Sequence, residues 1–296
     1  MNENESRDIK NAIFAAKEAA AARAASGGAP TMSKEEHFKK SFGLDIPVSE
    51  VPLPSLGLIY PLDHPLNNQK VVDIRGMTTR EEDILMSKAL IRKGTVITEL
   101  IKSCMVTPNV DVQSLIGGDR NALMVSVRIL GYGSLYEGEA VCPSCGHKNT
   151  IAVELNALDI KELEVEPVMP NENRFAFFLP RSGKNIEFKF ITGREEEEML
   201  AAMEMRKKKG ISVDSVITTR LQYSIISVEG ATDKATINNF ISFMPAMDSA
   251  ALRSYMDKVE PGVDMKFDFT CKECNHYEEM PLPLGPTFFW PNARKS

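Results

Sequence analysis

Hydrophobic residues along this chain alternate in some segments, as in strands, and follow a helical period in others. These two patterns occur in the same order twice. Alternation predicts a short strand at Val72 and Ile74 and another at Ile186, Phe188 and Phe190. Each predicted strand leads into a segment in which acidic residues come first and basic residues last, as the helix dipole favours. The two segments read KVVDIRGMTTREEDILMSKALIRKG from residue 70 and KNIEFKFITGREEEEMLAAMEMRKKKG from residue 184. The pattern therefore predicts an α+β protein with an internal repetition.

The two predicted helices start and stop with the same signals. A T-x-x-E sequence begins at Thr78 and again at Thr192. This spacing is typical of a capping box, in which the Thr hydroxyl and the Glu carboxylate satisfy free N–H groups at a helix start. A glycine, Gly94 or Gly210, follows the basic residues and suits the left-handed C-cap that ends a helix.

A second pair of helical segments strengthens the repetition. DRNALMVSVRILGYG starts at Asp119 and DSAALRSYMDKVEPG starts at Asp248, and the two aspartates are predicted N-caps. From Asp119 to Cys142 is 23 positions, and from Asp248 to Cys271 is also 23 positions. The sequences CPSCGH and CKECNH therefore occupy equivalent places. An apolar stripe runs along both helices at Leu123, Val127 and Leu130 and at Leu252, Met256 and Val259.

These matches predict a duplicated unit of strand, helix, helix and zinc-knuckle hairpin. The fold class is then α+β, with two pseudo-symmetric repeats joined around one four-cysteine zinc site and with an N-terminal helical arm. The second repeat is the longer one, with extra residues around SVEGATDKATINNF. The predicted segments are an alanine-rich arm and linker (1–45), repeat 1 with the first C-x-x-C (46–157), a linker (158–171), repeat 2 with the second C-x-x-C (172–285) and an aromatic tail (286–296).

Four of the five cysteines form two C-x-x-C pairs, Cys142 with Cys145 and Cys271 with Cys274. Two such pairs are a strong signal for a metal site, because tetrahedral zinc takes two thiolates from each pair. We therefore predict one structural zinc ion per chain, with two ligands from each repeat. Four thiolates leave no open position for water, which disfavours a catalytic zinc.

Other interpretations of the cysteine pairs compete with the shared site. His147 and His276 follow the two pairs and would serve separate metal sites, although Cys-x-x-Cys-x-His supplies at most three ligands. A thioredoxin-like redox pair opens a helix, whereas these pairs lie between predicted strands. A disulfide is disfavoured because the N-terminus lacks the pattern of a secretory signal. Gly146 and Asn275, which tolerate a left-handed backbone, follow the second cysteines and favour two tight turns.

Both ends of the chain contain candidate partner-binding residues. The alanine-rich N-terminal segment is helix-prone and places Ile9 and Ile13 on one stripe. This stripe suits either a solvated arm on a flexible linker or a helix that docks on a partner. In the tail, Phe288, Phe289 and Trp290 stand beside prolines, which predicts an extended segment. Their rings either pack back on their own domain or, if exposed, anchor a partner.

Composition and missing motifs restrict the function. The 296 residues carry a net charge of −6, which argues against a nucleic-acid binder led by phosphate contacts. No apolar run approaches the roughly 20 residues that a membrane helix needs, so we expect no membrane partner. Signatures of phosphate loops, dinucleotide-binding turns, zinc proteases and serine hydrolases do not occur. The acidic clusters REEDIL and REEEEML fit helix starts, RSGK fits a hairpin turn, and Cys104 fits a buried apolar position. We therefore expect no enzyme and no small-molecule substrate.

One combination of motifs is similar to a known family. LPSLGLIYP is followed by REED and then by VRILGYGSLYEGEAVCPSCGHKNTIAVEL, and this order resembles the baseplate hub and hub-assembly proteins of T-even-like contractile-tailed bacteriophages. The resemblance extends through LPRSGKNIEFKFITGREEE to the second C-x-x-C and leaves out the alanine-rich arm. It implies a non-enzymatic protein of the virion baseplate that is assembled in the host cytoplasm and contacts other phage baseplate and tail proteins. A transient assembly chaperone and a zinc-ribbon nucleic-acid adaptor are the alternatives.

Overall fold

Helices and short antiparallel sheets alternate through the described part of the chain. A computed structural model describes residues 43, 46–208, 216–284 and 286–289. The strands are β1 (Val48–Pro52), β2 (Val71–Arg75), β3 (Leu135–Val141), β4 (Lys148–Glu154), β5 (Ile160–Lys161), β6 (Phe175–Phe178), β7 (Asn185–Phe188), β8 (Ile225–Val228), β9 (Gly262–Val263), β10 (Lys266–Thr270) and β11 (Tyr277–Pro281). The helices are α1 (Thr79–Met86), α2 (Lys88–Lys93), α3 (Val96–Cys104), α4 (Gly117–Tyr132), α5 (Gly193–Lys208), α6 (Val216–Ser224), α7 (Lys234–Phe243), α8 (Ala246–Val259) and α9 (Pro286–Phe289). The prediction of a mixed α and β fold is confirmed.

The two predicted strand-to-helix segments have closely similar starts. β1 pairs antiparallel with β2 before α1, and β6 pairs antiparallel with β7 before α5. The carboxylate of Glu81 accepts hydrogen bonds from the backbone N–H of Thr78 at 2.8 Å and from its hydroxyl at 2.6 Å. The carboxylate of Glu195 accepts the same two bonds from Thr192 at 2.9 and 3.0 Å. The predicted interaction between Thr and Glu at the helix start is thus confirmed in both segments.

The first of these helices is shorter than predicted. α1 ends at Met86, and Ser87 adopts an extended backbone before α2 begins. The Ser87 hydroxyl then accepts a hydrogen bond from the backbone N–H of Leu90 at 3.5 Å, so that Ser87 acts as the N-cap of α2. Gly94 is the left-handed C-cap of α2, with φ of 74°, whereas Gly210 lies outside the described residues.

Asp119 and Asp248 are not the N-caps of their helices, so that prediction is wrong. Each is the third residue of its helix, α4 or α8, and each is fully buried. From this position the carboxylate of Asp119 reaches the loop after β1. It accepts hydrogen bonds from the backbone N–H and the hydroxyl of Ser55 at 2.9 and 2.6 Å, and from the hydroxyl of Tyr60 at 2.5 Å.

Asp248 holds the corresponding loop of the second segment. Its two carboxylate oxygens accept hydrogen bonds from the backbone N–H groups of Arg181 and Ser182 at 2.7 and 2.9 Å. These residues form the turn between β6 and β7, which confirms that RSGK is a hairpin turn. The two bound loops read LPSLG from residue 53 and LPRSG from residue 179, and each ends at a glycine with φ near +70°: 69° at Gly57 and 67° at Gly183. This second shared motif was not part of the sequence prediction.

Several segments differ from what their sequences predict. The extra residues of the second half form β8, which adds a third strand beside β7, and α7. The predicted linker contains β5, which pairs with β9, and its Leu163 is buried. The tail segment at residues 286–289 is one turn of helix rather than extended, because a proline suits the first position of a helix.

The two hydrophobic cores both cross the predicted boundary between the repeats. The first core consists mainly of residues between 51 and 155, and it also contains Phe269 and Cys271 from the second hairpin. The second core consists mainly of residues between 163 and 256, and it also contains Ile59 and Ile116. At the junction, α4 touches the chain at Pro261 so closely that a Cβ on Gly118 would lie 1.9 Å from the Pro261 carbonyl oxygen. Unfolding of either half is therefore expected to disturb the other. The duplication itself stays a prediction.

Glu81 is a fully buried carboxylate, and its bonding gives the first testable consequence. Besides Thr78 it binds Arg75, at 2.8 Å, and the hydroxyl of Ser103, at 2.6 Å. Burial raises the pKa of Glu81, but the hydrogen bonds from Arg75, Ser103 and Thr78 outweigh it and lower the pKa from 4.5 to about 2. Glu81 therefore stabilises the fold above pH 4.5, and this contribution is lost as the pH falls towards about 2.

We expect Glu81→Gln to lower the free energy of unfolding by about 3 kcal/mol at pH 7, because the half-buried Arg75 would lose its carboxylate partner and keep only uncharged acceptors such as the carbonyl oxygens of Gly76 and Ser103. Urea unfolding at pH 7 and pH 3 measures this, and the variant should be less sensitive to the pH change than the parent chain. Glu195→Gln is the matched control, since Glu195 holds the same position on α5 but pairs with the more exposed Lys189. Its expected loss is about 1 kcal/mol. Equal losses in the two variants would contradict the special role of Glu81.

Candidate metal centre

Two β-hairpins of the same design present the cysteine pairs. β3 pairs antiparallel with β4 around Cys142 and Cys145, and β10 pairs antiparallel with β11 around Cys271 and Cys274. In each turn the first cysteine donates its backbone N–H to the carbonyl oxygen of the histidine five positions later, at 2.9 Å in both hairpins. Its own carbonyl oxygen accepts a bond from the residue after the second cysteine, at 2.9 and 3.0 Å. The pairs thus lie between strands, as predicted.

The residues after the second cysteines have the predicted left-handed backbone. Gly146 has φ of 72° and Asn275 has φ of 55°. Glycine and asparagine are the residue types that adopt this region at least cost. The left-handed residue turns the chain back sharply, so both thiols of a pair point to the same side of the hairpin tip. The local sequence therefore fixes half of the site in each hairpin.

The two hairpins bring all four thiols together. The Sγ atoms of Cys142 and Cys274 lie 3.7 Å apart, those of Cys145 and Cys271 also lie 3.7 Å apart, and all four atoms lie within 4.8 Å of one another. A tetrahedral ion with metal–sulfur bonds of about 2.3 Å separates its ligands by about 3.8 Å, whereas a disulfide bond is about 2.05 Å long. The geometry therefore fits a four-thiolate metal site and excludes a disulfide among these atoms.

Burial and charge differ between the four thiols. The first cysteine of each pair is buried and the second is exposed. The backbone N–H groups of Cys274 and Glu273 lower the pKa of the Cys271 thiol, and together with smaller effects of Asn149 and Cys145 they outweigh burial and bring the pKa to about 6. At Cys145 a backbone hydrogen bond from His147 lowers the pKa, but partial desolvation and hydrogen bonds with the three neighbouring thiols raise it to about 12. Thiolate is the form that binds metal, and a pKa of about 6 makes the Cys271 side chain mostly thiolate at neutral pH.

Asn149 joins the two hairpins beside the thiols, and the sequence prediction missed it. It is 3% exposed on β4. Its side-chain oxygen accepts the backbone N–H of Lys272 at 2.9 Å, and its side-chain N–H group lies 3.6 Å from the Sγ of Cys271. The same nitrogen donates to the carbonyl of His147 at 3.1 Å. No local motif marks this residue, because two of its three partners, the Lys272 N–H and the Cys271 sulfur, stand on the other hairpin.

The structure bears on the competing interpretations of the cysteines. Among the described residues, the cluster of possible metal ligands contains these four cysteines and neither His147 nor His276. The side chain of His276 contacts Glu278 instead, at 3.3 Å. Cys104 stands apart from the cluster, fully buried in the first core, and burial raises the pKa of its thiol to about 12. Its predicted role as a small apolar residue is confirmed.

Of the candidate partner-binding residues, the structure describes Phe288 and Phe289. Phe288 and Phe289 are 1% and 2% exposed and belong to the first core. These two rings therefore pack on their own domain and are not exposed as an anchor for a partner. The buried Arg128 donates to the carbonyl oxygen of Phe288 at 2.7 Å and holds α9 in place. Trp290 and the arm residues Ile9 and Ile13 lie outside the described residues.

Comparison with known proteins identifies the family of this chain. A family model described as T4 bacteriophage base plate protein matches residues 59–290, a span that includes both cysteine pairs. No curated protein and no solved structure matches the chain. Among the helices that the structure describes, none has the length and hydrophobicity needed to cross a bilayer. The family match spans well over half of the 296 residues and agrees with the resemblance of the motifs, and the chain therefore belongs to the T4 bacteriophage base plate protein family.

Proposed function

We propose that this chain is a non-enzymatic structural subunit of a contractile-tail baseplate, in or near the hub, and that one zinc ion links its two halves. The family match over residues 59–290 supports a baseplate protein. The observation that carries the structural role is the convergence of four thiols from two hairpins that are distant in the sequence, since Cys145 and Cys271 are 126 positions apart and are neighbours in space. Such a site suits a rigid body on which other tail proteins are assembled.

Zinc is the ion that this donor set fits best. Two C-x-x-C turns with sulfur atoms at tetrahedral spacing are typical of structural zinc sites. When bound, the ion would link the two hairpins through Cys142, Cys145, Cys271 and Cys274 and leave no position open for water. The site would therefore add to stability and would supply no catalysis.

The proposal includes a duplicated architecture. The support comes from three features that occur twice in the same order. They are a strand followed by an LPxxG loop, a helix that starts with the Thr-Glu interaction, and a helix whose third residue is a buried aspartate bound to the LPxxG loop. The cysteine hairpins complete both series. Two copies related by a pseudo-two-fold axis would exchange the Cys142–Cys274 pair with the Cys271–Cys145 pair, and both separations are 3.7 Å.

The alternatives make different predictions about charge and location. A nucleic-acid adaptor needs a basic face beside the cysteine turns. The two cysteine turns and the residues that follow them contain Lys148 and Lys272 but also Glu273 and Glu278, so the local charge is mixed. A transient assembly chaperone would leave the tail when assembly ends, whereas a structural subunit would stay.

Quantitative mass spectrometry of purified virions tests the structural role. We expect the chain in complete particles, at a fixed ratio to the other baseplate proteins, and enriched in baseplates separated from tail tubes and heads. A tail-tube protein of the same particles serves as the internal standard. Presence in assembly intermediates together with absence from complete particles would replace the structural role by that of the chaperone.

A further inference from the structure

We infer that Asn149 is the positioning residue of the metal site: it fixes the second cysteine turn against the first and directs an N–H group at the Cys271 sulfur. This inference rests on the proposed zinc site and assigns a role to a residue outside the four ligands. Two hydrogen bonds between Asn149 and the second hairpin carry it: Asn149 accepts one from the backbone N–H of Lys272 at 2.9 Å and donates the other to the Sγ of Cys271 at 3.6 Å.

The first step is that Asn149 connects the hairpins without help from a metal. Its oxygen accepts the backbone N–H of Lys272, the residue directly after Cys271. Its nitrogen is held in turn by the carbonyl of His147 in its own hairpin. Because the side chain is 3% exposed, water does not compete for these bonds, and the amide has one well-defined orientation. The alignment of the two cysteine turns through Asn149 therefore does not require a bound metal ion.

The second step is the direct contact with a ligand atom. The amide nitrogen lies 3.6 Å from the Sγ of Cys271, a spacing suited to an N–H···S hydrogen bond. Such a bond stabilises the thiolate over the thiol and fixes the direction of its lone pairs. Residues that orient metal ligands in this way typically change metal affinity about 10- to 100-fold when they are replaced.

The third step is that the two halves differ at this position. Asn149 stands seven positions after Cys142, and the residue seven positions after Cys271 is Glu278. Glu278 is exposed, contacts His276 and has no N–H group to donate to a sulfur. The backbone hydrogen bonds within the two cysteine turns are the same, but Asn149 donates its side-chain N–H only to the sulfur of Cys271 in the second turn. Asn149 therefore gives Cys271 a side-chain hydrogen bond that Glu278 has no N–H group to give to the first turn.

Two variants of Asn149 separate an effect on the orientation of the Cys271 ligand from an effect on the folding of the chain. Asn149→Asp has nearly the same shape and keeps an oxygen for the Lys272 N–H, but it removes the donor to the Cys271 sulfur. Asn149→Ala removes both bonds. Glu278→Gln is the matched control at the equivalent place of the other hairpin. Each variant is prepared as the full chain with Zn²⁺, and the folded fraction is isolated by size-exclusion chromatography before measurement.

Zinc transfer to a chromophoric chelator and the absorption of the Co²⁺-substituted chain are the two readouts. We expect Asn149→Asp to release Zn²⁺ at least about tenfold faster than the parent chain, and Glu278→Gln to match the parent. The thiolate-to-cobalt charge-transfer band of Asn149→Asp should move to longer wavelength, because a sulfur without its hydrogen bond gives up charge more readily. A purely structural role would leave this band unmoved in the folded protein.

The outcomes distinguish this inference from the proposed function. If the parent chain holds one Zn²⁺ and Asn149→Asp matches it in release rate and in the cobalt band, Asn149 is not a positioning residue. The proposed zinc site between the two hairpins is then unaffected. If the parent chain holds no Zn²⁺ and takes up no Co²⁺, both ideas are wrong. Should Asn149→Ala give no folded protein, Asn149→Asp decides the question, because it keeps the bond between the hairpins.

Discussion

Replacing Cys271 by serine is expected to release the metal and to destabilise both halves of the protein together. Serine keeps the size of the side chain but is a poor ligand for zinc, so three thiolates would remain. In structural zinc sites the free energy of binding, about 10–16 kcal/mol, counts as folding free energy. A domain is stable by only about 5–15 kcal/mol in total, so loss of the ion is a large fraction of the stability.

The destabilisation should not stay in the second hairpin. Cys271 and Phe269 belong to the first core, where they pack with residues of the first half such as Cys142 and Tyr136. When the hairpins separate, this part of the core becomes exposed to water. We therefore expect hydrogen exchange to accelerate in β3 and β4 as well as in β10 and β11, and the temperature of unfolding to fall by more than about 10 °C, as a loss of about 3 kcal/mol or more would produce.

Cys104→Ala is the matched control, because it removes the one cysteine that lies outside the cluster. It should cost about 1 kcal/mol for the small cavity and keep one zinc ion per chain. Metal content by elemental analysis and thermal unfolding are measured on both variants. A Cys271→Ser chain that keeps the ion at parental affinity would refute the shared site. Faster exchange in the C-terminal hairpin alone would refute the coupling between the halves.

The sequence predicted the features that depend on neighbours along the chain. The cysteine turns were predictable because two thiols, three positions apart and followed by Gly146 or Asn275, specify a tight turn by local geometry. The Thr-Glu interaction at Thr78 and Thr192 was predictable for the same reason, since donor and acceptor stand within one helical turn. Equal spacing to Cys142 and to Cys271 then indicated that two local half-sites belong together, and the sulfur atoms do meet.

What the sequence could not supply depends on contacts between distant segments. Asp119 looked like a helix cap because an aspartate near a helix start usually has that role, but a loop 64 positions earlier takes its carboxylate. Phe288 and Phe289 looked equally suited to a surface or a core, and the contact with Arg128, 160 positions earlier, puts them in the core. Asn149 has no motif at all. In each case the partner is chosen by tertiary packing, to which single-sequence patterns are blind.

The second large effect is expected at Asp119, which binds the first LPxxG loop. Asp119→Ala would leave three buried donors without an acceptor: the N–H and hydroxyl of Ser55 and the hydroxyl of Tyr60. Each unsatisfied buried group costs about 1–3 kcal/mol, so we expect a loss of about 4 kcal/mol in the free energy of unfolding, measured in urea. The loop from residue 53 should also become sensitive to proteolysis, since this carboxylate is its main link to α4.

Asp248→Ala is the matched variant in the second half and tests the duplication at the same time. Asp248 binds two backbone N–H groups of a turn in which Arg181 is exposed, so water can replace part of what is lost. The expected loss is about 1–2 kcal/mol, with faster proteolysis confined to the β6–β7 turn.

Asp119→Asn separates the charge from the hydrogen bonds. Burial raises the pKa of Asp119, although the bonds from Ser55 and Tyr60 oppose that shift. A neutral amide avoids the cost of a buried charge, and the two hydroxyls can turn to accept its N–H groups. Asp119→Asn should therefore lose less than about 2 kcal/mol. If Asp119→Ala were no worse than Asp119→Asn, the three bonds would not be what holds the loop. If Asp248→Ala opened the first loop instead of its own turn, the two aspartates would not be equivalent, and the duplicated architecture would lose its most specific support.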